Sequence, residues 1–122
     1  MKFSLDVALS GSYADPRKLA DLAAEAEQTG WDGFFVWDCL FDPSGPTEPV
    51  VDPWITLAAI AMRTERIKIG AFMTPLPRRR PWKVAREAVT LDHLSGGRLI
   101  FGAGSGFESH DFAPFGEELD SR

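Results

Sequence analysis

The sequence has very few of the residues that hold metal ions or form disulfides. It contains one cysteine, Cys39, and two histidines, His93 and His110, in 122 residues. A single cysteine cannot form an internal disulfide, and the three residues lie too far apart in the sequence for a recognisable zinc motif. The sequence therefore excludes a disulfide-rich secreted scaffold and predicts no metal site. A reducing compartment, most simply the cytoplasm, is the expected location.

The sequence also lacks net positive charge and long apolar runs. Its formal net charge is -5, whereas nucleic acids and anionic membranes are bound through basic surfaces. No apolar stretch approaches the roughly 18 residues that a transmembrane helix needs. The N-terminal segment MKFSLDVALSGSYA resembles a signal peptide only faintly, because Asp6 interrupts a run that is already too short. We therefore expect a soluble protein with neither nucleic acid nor membrane as a partner.

What the sequence does contain is an alternation of apolar runs of strand length with segments of helical period. Asp15 and Asp52 are each followed by proline, the pattern of an N-cap and the first position of a helix. A third helical segment is followed by Gly96 and Gly97, which are typical of a C-cap. The predicted strands are residues 3–9, 33–37, 66–72 and 98–104, and the predicted helices begin at residues 16, 53 and 82.

The order β-α-β-α-β-α-β predicts an α/β fold with a parallel sheet, because each helical connection returns the next strand in the same direction. With 122 residues, 44% of them apolar, residues 1–122 should form a single domain around one core. Two architectures fit the order: a small doubly wound sheet, or part of a (βα)8 TIM-type barrel. A complete barrel needs about 250 residues, so four βα units would form half of one.

The candidate site residues are those that directly follow the strands, because ligands bind there in both architectures. Asp38 and Glu108 are the two carboxylates placed at strand ends. Either could act as a general base or orient a neighbour if burial raises its pKa; the alternative is an ordinary solvated loop carboxylate. Cys39 also follows the second strand, but no base is visibly arranged to activate it as a nucleophile.

Two further motifs could bind a ligand. The run Arg78–Arg80 precedes a helix N-terminus, where cations are disfavoured, so it invites an anion such as a cofactor phosphate; surface pairing with carboxylates is the favoured alternative. The stretch GAGSGF, residues 102–107, superficially resembles a dinucleotide-binding loop, but no helical pattern follows its glycines. Close backbone packing near a flat ligand is the better interpretation.

Three long segments carry a resemblance to a known family. GWDGFFVWD, DPWITLAAIAMRTERIKIG and MTPLPRRRPWKVAREAVTLDHLSGGRLIFGAGSG resemble the luciferase-like monooxygenase family, which comprises flavin- or deazaflavin-dependent oxidoreductases related to bacterial luciferase. The resemblance implies a (βα)8 barrel that binds FMN or coenzyme F-420 at the carboxyl ends of its strands, together with a small organic substrate. The four units of this chain would then be its N-terminal half.

The resemblance also implies particular cofactor-binding residues. A non-prolyl cis peptide, which often supports the flavin ring in the family, would fall within Ala71, Phe72 and Met73. The backbone and small side chains near Thr74 and the run Gly104, Ser105 and Gly106 would line the ring pocket. Deazaflavin-dependent members often have Asp-His after the second strand, where this chain has Asp38-Cys39. We therefore interpret Cys39 as an altered or lost proton-transfer site.

The resemblance implies that the cofactor phosphate is bound largely by the later half of the barrel, strands 5 to 8, which the four units of this sequence do not include. Three hypotheses follow. In the first, the chain is a partial barrel of a flavin- or F-420-dependent oxidoreductase. In the second, it is a catalytically inactive half-barrel module that self-associates, most simply as a homodimer, because open strand edges favour association. The third is a flavodoxin-like domain that binds FMN at a switch point of an open sheet.

Overall fold

The computed structural model describes residues 1–42, 47–107 and 111–118. Within these residues the chain forms three α-helices and five short strands. The strands are β1 (Ser4–Val7), β2 (Gly33–Val36), β3 (Lys68–Ala71), β4 (Thr74–Pro75) and β5 (Ala103–Gly104), and the helices are α1 (Pro16–Gln28), α2 (Pro53–Arg63) and α3 (Pro81–Leu94). Short 3-10 turns cover Gly11–Tyr13, Leu76–Arg78 and Ala113–Phe115. In the part of the chain described, no helix is long and apolar enough to cross a lipid bilayer.

The predicted starts of α1 and α2 are confirmed, and α3 begins one residue earlier than predicted, at Pro81. Asp15 Oδ1 accepts a hydrogen bond from the Arg17 backbone N–H at 2.9 Å, and Asp52 Oδ1 accepts one from Ile55 N–H at 2.8 Å. Each aspartate thus satisfies a backbone donor that the first turn of its helix leaves free. At the end of α3, Gly96 has φ of 65°, the left-handed conformation expected of a glycine C-cap.

The first three strands form the predicted parallel sheet. Their order is β1-β2-β3, and the register places Leu5 beside Phe34 and Phe34 beside Ile69. Phe34 and Ile69 are fully buried under α1 and α2, where they pack with Leu19, Leu57 and Ile60. The core therefore lies between the helices and one face of the sheet, and the carboxyl ends of the three strands meet along one edge.

The predicted fourth strand, residues 98–104, is not continuous. Its first part runs beside β3, where Ile100 N–H donates to the Ile69 carbonyl at 2.8 Å, and its last part is β5, which pairs in parallel with β4. Between them β3 ends at Ala71, and a turn at Phe72 and Met73 precedes β4. Residues 98–104 therefore have no uninterrupted partner strand. The result is a three-stranded sheet with an adjoining two-stranded pair.

Arg98 anchors this segment to α2. Its side chain is buried and donates to the carbonyls of Ala61 and Thr64, at 2.8 and 3.0 Å, and to the Thr64 hydroxyl at 2.7 Å. These acceptors lie at the C-terminal end of α2, where helix carbonyls have no intrahelical donors. Arg98 thereby fixes the start of the chain segment that leads to β5.

Candidate functional site

A cleft of about 390 Å³ lies at the carboxyl ends of the strands, as both predicted architectures require. Four aromatic residues, Trp37, Phe41, Phe72 and Phe107, line it. Asp6 and Cys39 contribute polar atoms to its wall, and Met73 and Pro75 add apolar ones. A lining that is mostly apolar with a few polar groups is typical of small-molecule sites.

A cis peptide bond joins Phe72 and Met73, within the three residues where the family resemblance implies one. Both residues line the cleft. Met73 packs so closely against β5 that a Cβ on Gly104 would lie 2.0 Å from its sulfur atom. A larger residue at position 104 would therefore force the Met73 side chain to move, which gives one of the glycines predicted to bind a cofactor a packing role beside the cleft.

The structure brings some of the predicted site residues to the cleft and places others elsewhere. Asp38, Cys39, Phe72, Met73 and Gly106 line it. Ala71 belongs to the hydrophobic core, and Ser105 is exposed. The predicted residue Glu108 lies outside the described residues.

Thr74, in β4, differs from the other predicted cofactor-binding residues. Its side chain is fully buried, and its hydroxyl has no hydrogen-bond partner. Buried hydroxyl groups are usually paired, but Thr74 does not line the cleft, so a molecule in the cleft would not reach this hydroxyl in the present structure.

Asp38 is buried within a group of ion pairs, so the alternative of a solvated loop carboxylate is wrong for this residue. Arg78 Nη2 donates to its Oδ1, and Arg79 Nη2 donates to its Oδ2 at 2.6 Å. Burial raises the pKa of the Asp38 carboxyl, while the charges of Arg79 and Arg78 act in the opposite direction. Because both carboxylate oxygens accept hydrogen bonds from guanidinium groups, Asp38 is held in one orientation.

The arginine run pairs with carboxylates, as the favoured interpretation predicted, but the pairs are largely withdrawn from the surface. The Arg78 side chain is 10% exposed and also donates to Asp111, and that of Arg79 is 18% exposed. Arg80 is exposed at the N-cap of α3 and makes no side-chain cap bond. Arg78 and Arg79 are thus committed to the protein's own carboxylates.

Cys39 is half-buried and lines the cleft. Burial raises the pKa of its thiol, and the nearby negative charge of Asp111 raises it further. The thiol is therefore protonated near neutral pH, which is unfavourable for a nucleophile. Among the described residues, no group of three or more His, Cys, Asp or Glu side chains could hold a metal ion.

The sequence interpretation missed several residues of the cleft. Asp6 accepts a hydrogen bond from the Trp37 indole at 2.9 Å, and its position in an otherwise apolar strand was the available signal. Phe41 stacks on Phe115, with ring centroids 5.7 Å apart. Asp111 forms an ion pair with Arg78 that no local pattern in the sequence indicates.

Known proteins resemble this chain in sequence and in structure. It is 48% identical over 80 residues to limonene 1,2-monooxygenase of Rhodococcus erythropolis, an alignment that covers 65% of this chain and 21% of that protein. It is 38% identical over 110 residues to the F420-dependent glucose-6-phosphate dehydrogenase of Nakamurella multipartita, which covers 88% of this chain and 32% of that one.

One solved structure resembles the chain over most of its length. The coenzyme F420-dependent tetrahydromethanopterin reductase of Methanopyrus kandleri superposes with a TM-score of 0.79 at 28% identity, over 94% of this chain and 30% of its own. The chain thus spans a third or less of the length of each of these proteins. The sequence profile of the luciferase-like monooxygenase family matches residues 2–122, and the chain belongs to that family.

Proposed function

We propose that the cleft holds the flat ring system of FMN or coenzyme F-420 and that the chain is part of an oxidoreductase acting on a small organic molecule. The observation that carries the proposal is the aromatic cleft at the carboxyl ends of β1 to β3, bordered by the cis peptide between Phe72 and Met73. Relatives named as monooxygenases and as F420-dependent dehydrogenases support it.

The residues of the cleft fit such a ring. Trp37, Phe72 and Phe107 offer aromatic surface against which a planar group can pack. When bound, the cofactor would supply hydride transfer or, as reduced flavin, reaction with oxygen. The described arginines 78 and 79 are occupied by carboxylates, so we expect a cofactor phosphate to be held by other groups.

Three residues are proposed to act near the ring. Asp38 orients the chain that carries Cys39, and Cys39 occupies the position where deazaflavin-dependent relatives often carry the proton-transferring histidine. Glu108, which follows the predicted fourth strand, stays a proposed general base or orienting carboxylate on the ground of its position in the sequence. Proton transfer by the Cys39 thiol is unfavourable, because its raised pKa keeps it protonated.

For the architecture, we propose that the four βα units form the N-terminal half of a (βα)8 barrel. The three-stranded parallel sheet, with the β4-β5 pair continuing it, supports this arrangement. A flavodoxin-like sheet binds FMN where the strand order reverses, whereas the described order β1-β2-β3 follows the chain without a reversal. That order favours the barrel over the flavodoxin-like alternative.

Titration of the purified chain with FMN and, separately, with F-420 tests the proposal, with cofactor fluorescence as the signal. Saturable binding of one cofactor is the expected result. If neither binds, the chain is not an independent flavin-binding unit.

Cytoplasmic location, proposed from the single cysteine, is tested separately by fractionation of the producing cells.

The second candidate function is a self-associating module without catalytic activity. A groove of about 400 Å³ between α3 and Phe101 is almost wholly apolar, and beside it the exposed fraction of Trp82 is 71%. Exposed apolar surface of this kind marks interaction sites, so we propose that a second copy of the chain covers it in a homodimer. Light scattering should then give twice the mass of 13.5 kDa; a monodisperse monomer contradicts this proposal.

A further inference from the structure

A largely buried group of four charged side chains borders the cleft: Asp38, Arg78, Arg79 and Asp111. Arg78 lies at its centre, because Nη2 donates to the carboxylate of Asp38 and Nη1 donates to that of Asp111. The side chains of these three residues are at most 10% exposed. Removing one member of such a group leaves a buried charge without its partner, so the connection is held firmly.

The two carboxylates belong to different walls of the cleft. Arg78 Nη2 also donates to the backbone carbonyl of Asp38 at 3.0 Å, which fixes the main chain between Trp37 and Cys39. Asp111 accepts a hydrogen bond from the Phe107 backbone N–H through its other oxygen, at 2.8 Å. One guanidinium group thus joins the segment after β2 to the segment after β5.

We propose that Arg78 is a positioning residue of the cleft, which holds the walls at Asp38 and Phe107 at the separation that a flat ring requires. The proposal rests on the ring-binding function proposed above. Arg79 differs from Arg78 in its contacts. Its guanidinium group donates to Asp38, and its guanidinium carbon lies 5.8 Å from the centroid of the Trp54 ring. It therefore reaches only one of the two walls.

Ring binding by Arg78 variants is the first test. We expect Arg78→Gln to weaken the affinity for FMN or F-420 by about tenfold, the effect of losing one charge-assisted hydrogen bond. The visible circular dichroism of the bound ring should weaken as well, because the ring is no longer held in one orientation. Arg78→Lys keeps the charge but cannot reproduce the forked contact with two carboxylates. Wild-type affinity and dichroism in Arg78→Lys would contradict the proposal.

The matched control is Arg63→Gln. Arg63 pairs with Asp21 on the surface, where the two side chains are 61% and 67% exposed, so ring affinity should change by less than about twofold. If Arg78 only stabilised the fold, Arg78→Gln would lower the folded fraction without changing the affinity of the folded molecules. An unchanged affinity per folded molecule therefore overturns the proposal.

Amide hydrogen exchange decides the proposal without any ligand. In Arg78→Gln the Phe107 amide should exchange about tenfold faster, while the Ile69 amide, which donates to the Arg98 carbonyl inside the sheet, keeps its rate. Equal protection of Phe107 in both proteins overturns the proposal. If Arg78→Gln does not fold, Asp111→Asn breaks the same link and is measured instead. A wild-type chain that binds neither cofactor overturns only the proposed function.

Discussion

The Trp37 indole donates a hydrogen bond from Nε1 to Oδ2 of Asp6, which lies 2.9 Å away on the neighbouring strand β1. Both residues line the cleft. Because this hydrogen bond restricts the side-chain torsions of Trp37, the indole offers an oriented aromatic surface to the cleft. This pair therefore connects the register of β1 and β2 to the shape of the candidate site.

Replacement of Trp37 by phenylalanine should weaken ring binding. The variant keeps an aromatic ring but loses the bond to Asp6, so we expect affinity for the bound cofactor to fall about three- to tenfold, or about 1 kcal/mol. Fluorescence titration with the cofactor measures this affinity. Trp31→Phe is the matched control, because Trp31 is similarly exposed but lies at the opposite ends of the strands. Equal losses in both variants would contradict a site at the cleft.

Replacement of Arg98 by methionine should destabilise the fold strongly. The carbonyls of Ala61 and Thr64 would lose their buried donors, and unsatisfied buried groups cost about 1–3 kcal/mol. Urea unfolding gives the free energy of unfolding. The exposed Arg63, changed to methionine in the same way, should cost less than about 1 kcal/mol. Similar values for the two variants would mean that the Arg98 contacts contribute little.

Glu27 should make stability depend on pH. Burial raises its pKa, but hydrogen bonds from the backbone N–H groups of Ile67, Arg66 and Glu65 outweigh burial and leave the pKa lowered. A carboxylate with a lowered pKa stabilises the fold above its unfolded-state pKa, and this contribution disappears as the pH falls through the folded-state value.

The measurement is urea unfolding of Glu27→Gln over a range of pH. The variant should be less stable than the wild type at pH 7, and the difference should shrink toward zero in acid. Glu25→Gln, at an exposed position on the same helix, is the control and should show no such trend. A difference that stays constant down to strongly acidic pH contradicts the assignment.

Alkylation of Cys39 should be slow in the folded chain. Its raised pKa lowers the thiolate fraction at a given pH, and the thiolate is the reactive form. With iodoacetamide at pH 8 the folded protein should react more slowly than the chain unfolded in urea, measured by mass spectrometry. A folded chain that reacts faster would indicate an activated nucleophile instead.

Much of the fold could be predicted from local patterns. Asp15 and Asp52, each followed by proline, gave the correct starts of α1 and α2 because capping depends on neighbours a few residues away. The continuous apolar run GFFV gave β2. The fourth strand could not be placed correctly, because its interruption depends on where its partner β3 ends, at Ala71.

The site was predicted less completely for a related reason. The strand ends located Asp38, Cys39 and Met73 at the cleft, because position along a parallel strand determines the edge at which it ends. The link from Arg78 to Asp38 joins residues 40 apart, and that from Arg78 to Asp111 joins residues 33 apart. Such contacts arise only once the sheet has brought distant loops together, so no spacing in the sequence indicates them.

The most direct test of the account is to map the cofactor on the chain by NMR. On addition of FMN or F-420, the amide shifts of Trp37, Cys39, Met73 and Phe107 should move in a saturable manner. Those of Trp31 and Lys68, at the opposite ends of the strands, should stay in place. Shifts confined to the opposite ends, or no saturable shift with either cofactor, would contradict the claim that the aromatic cleft is the cofactor site.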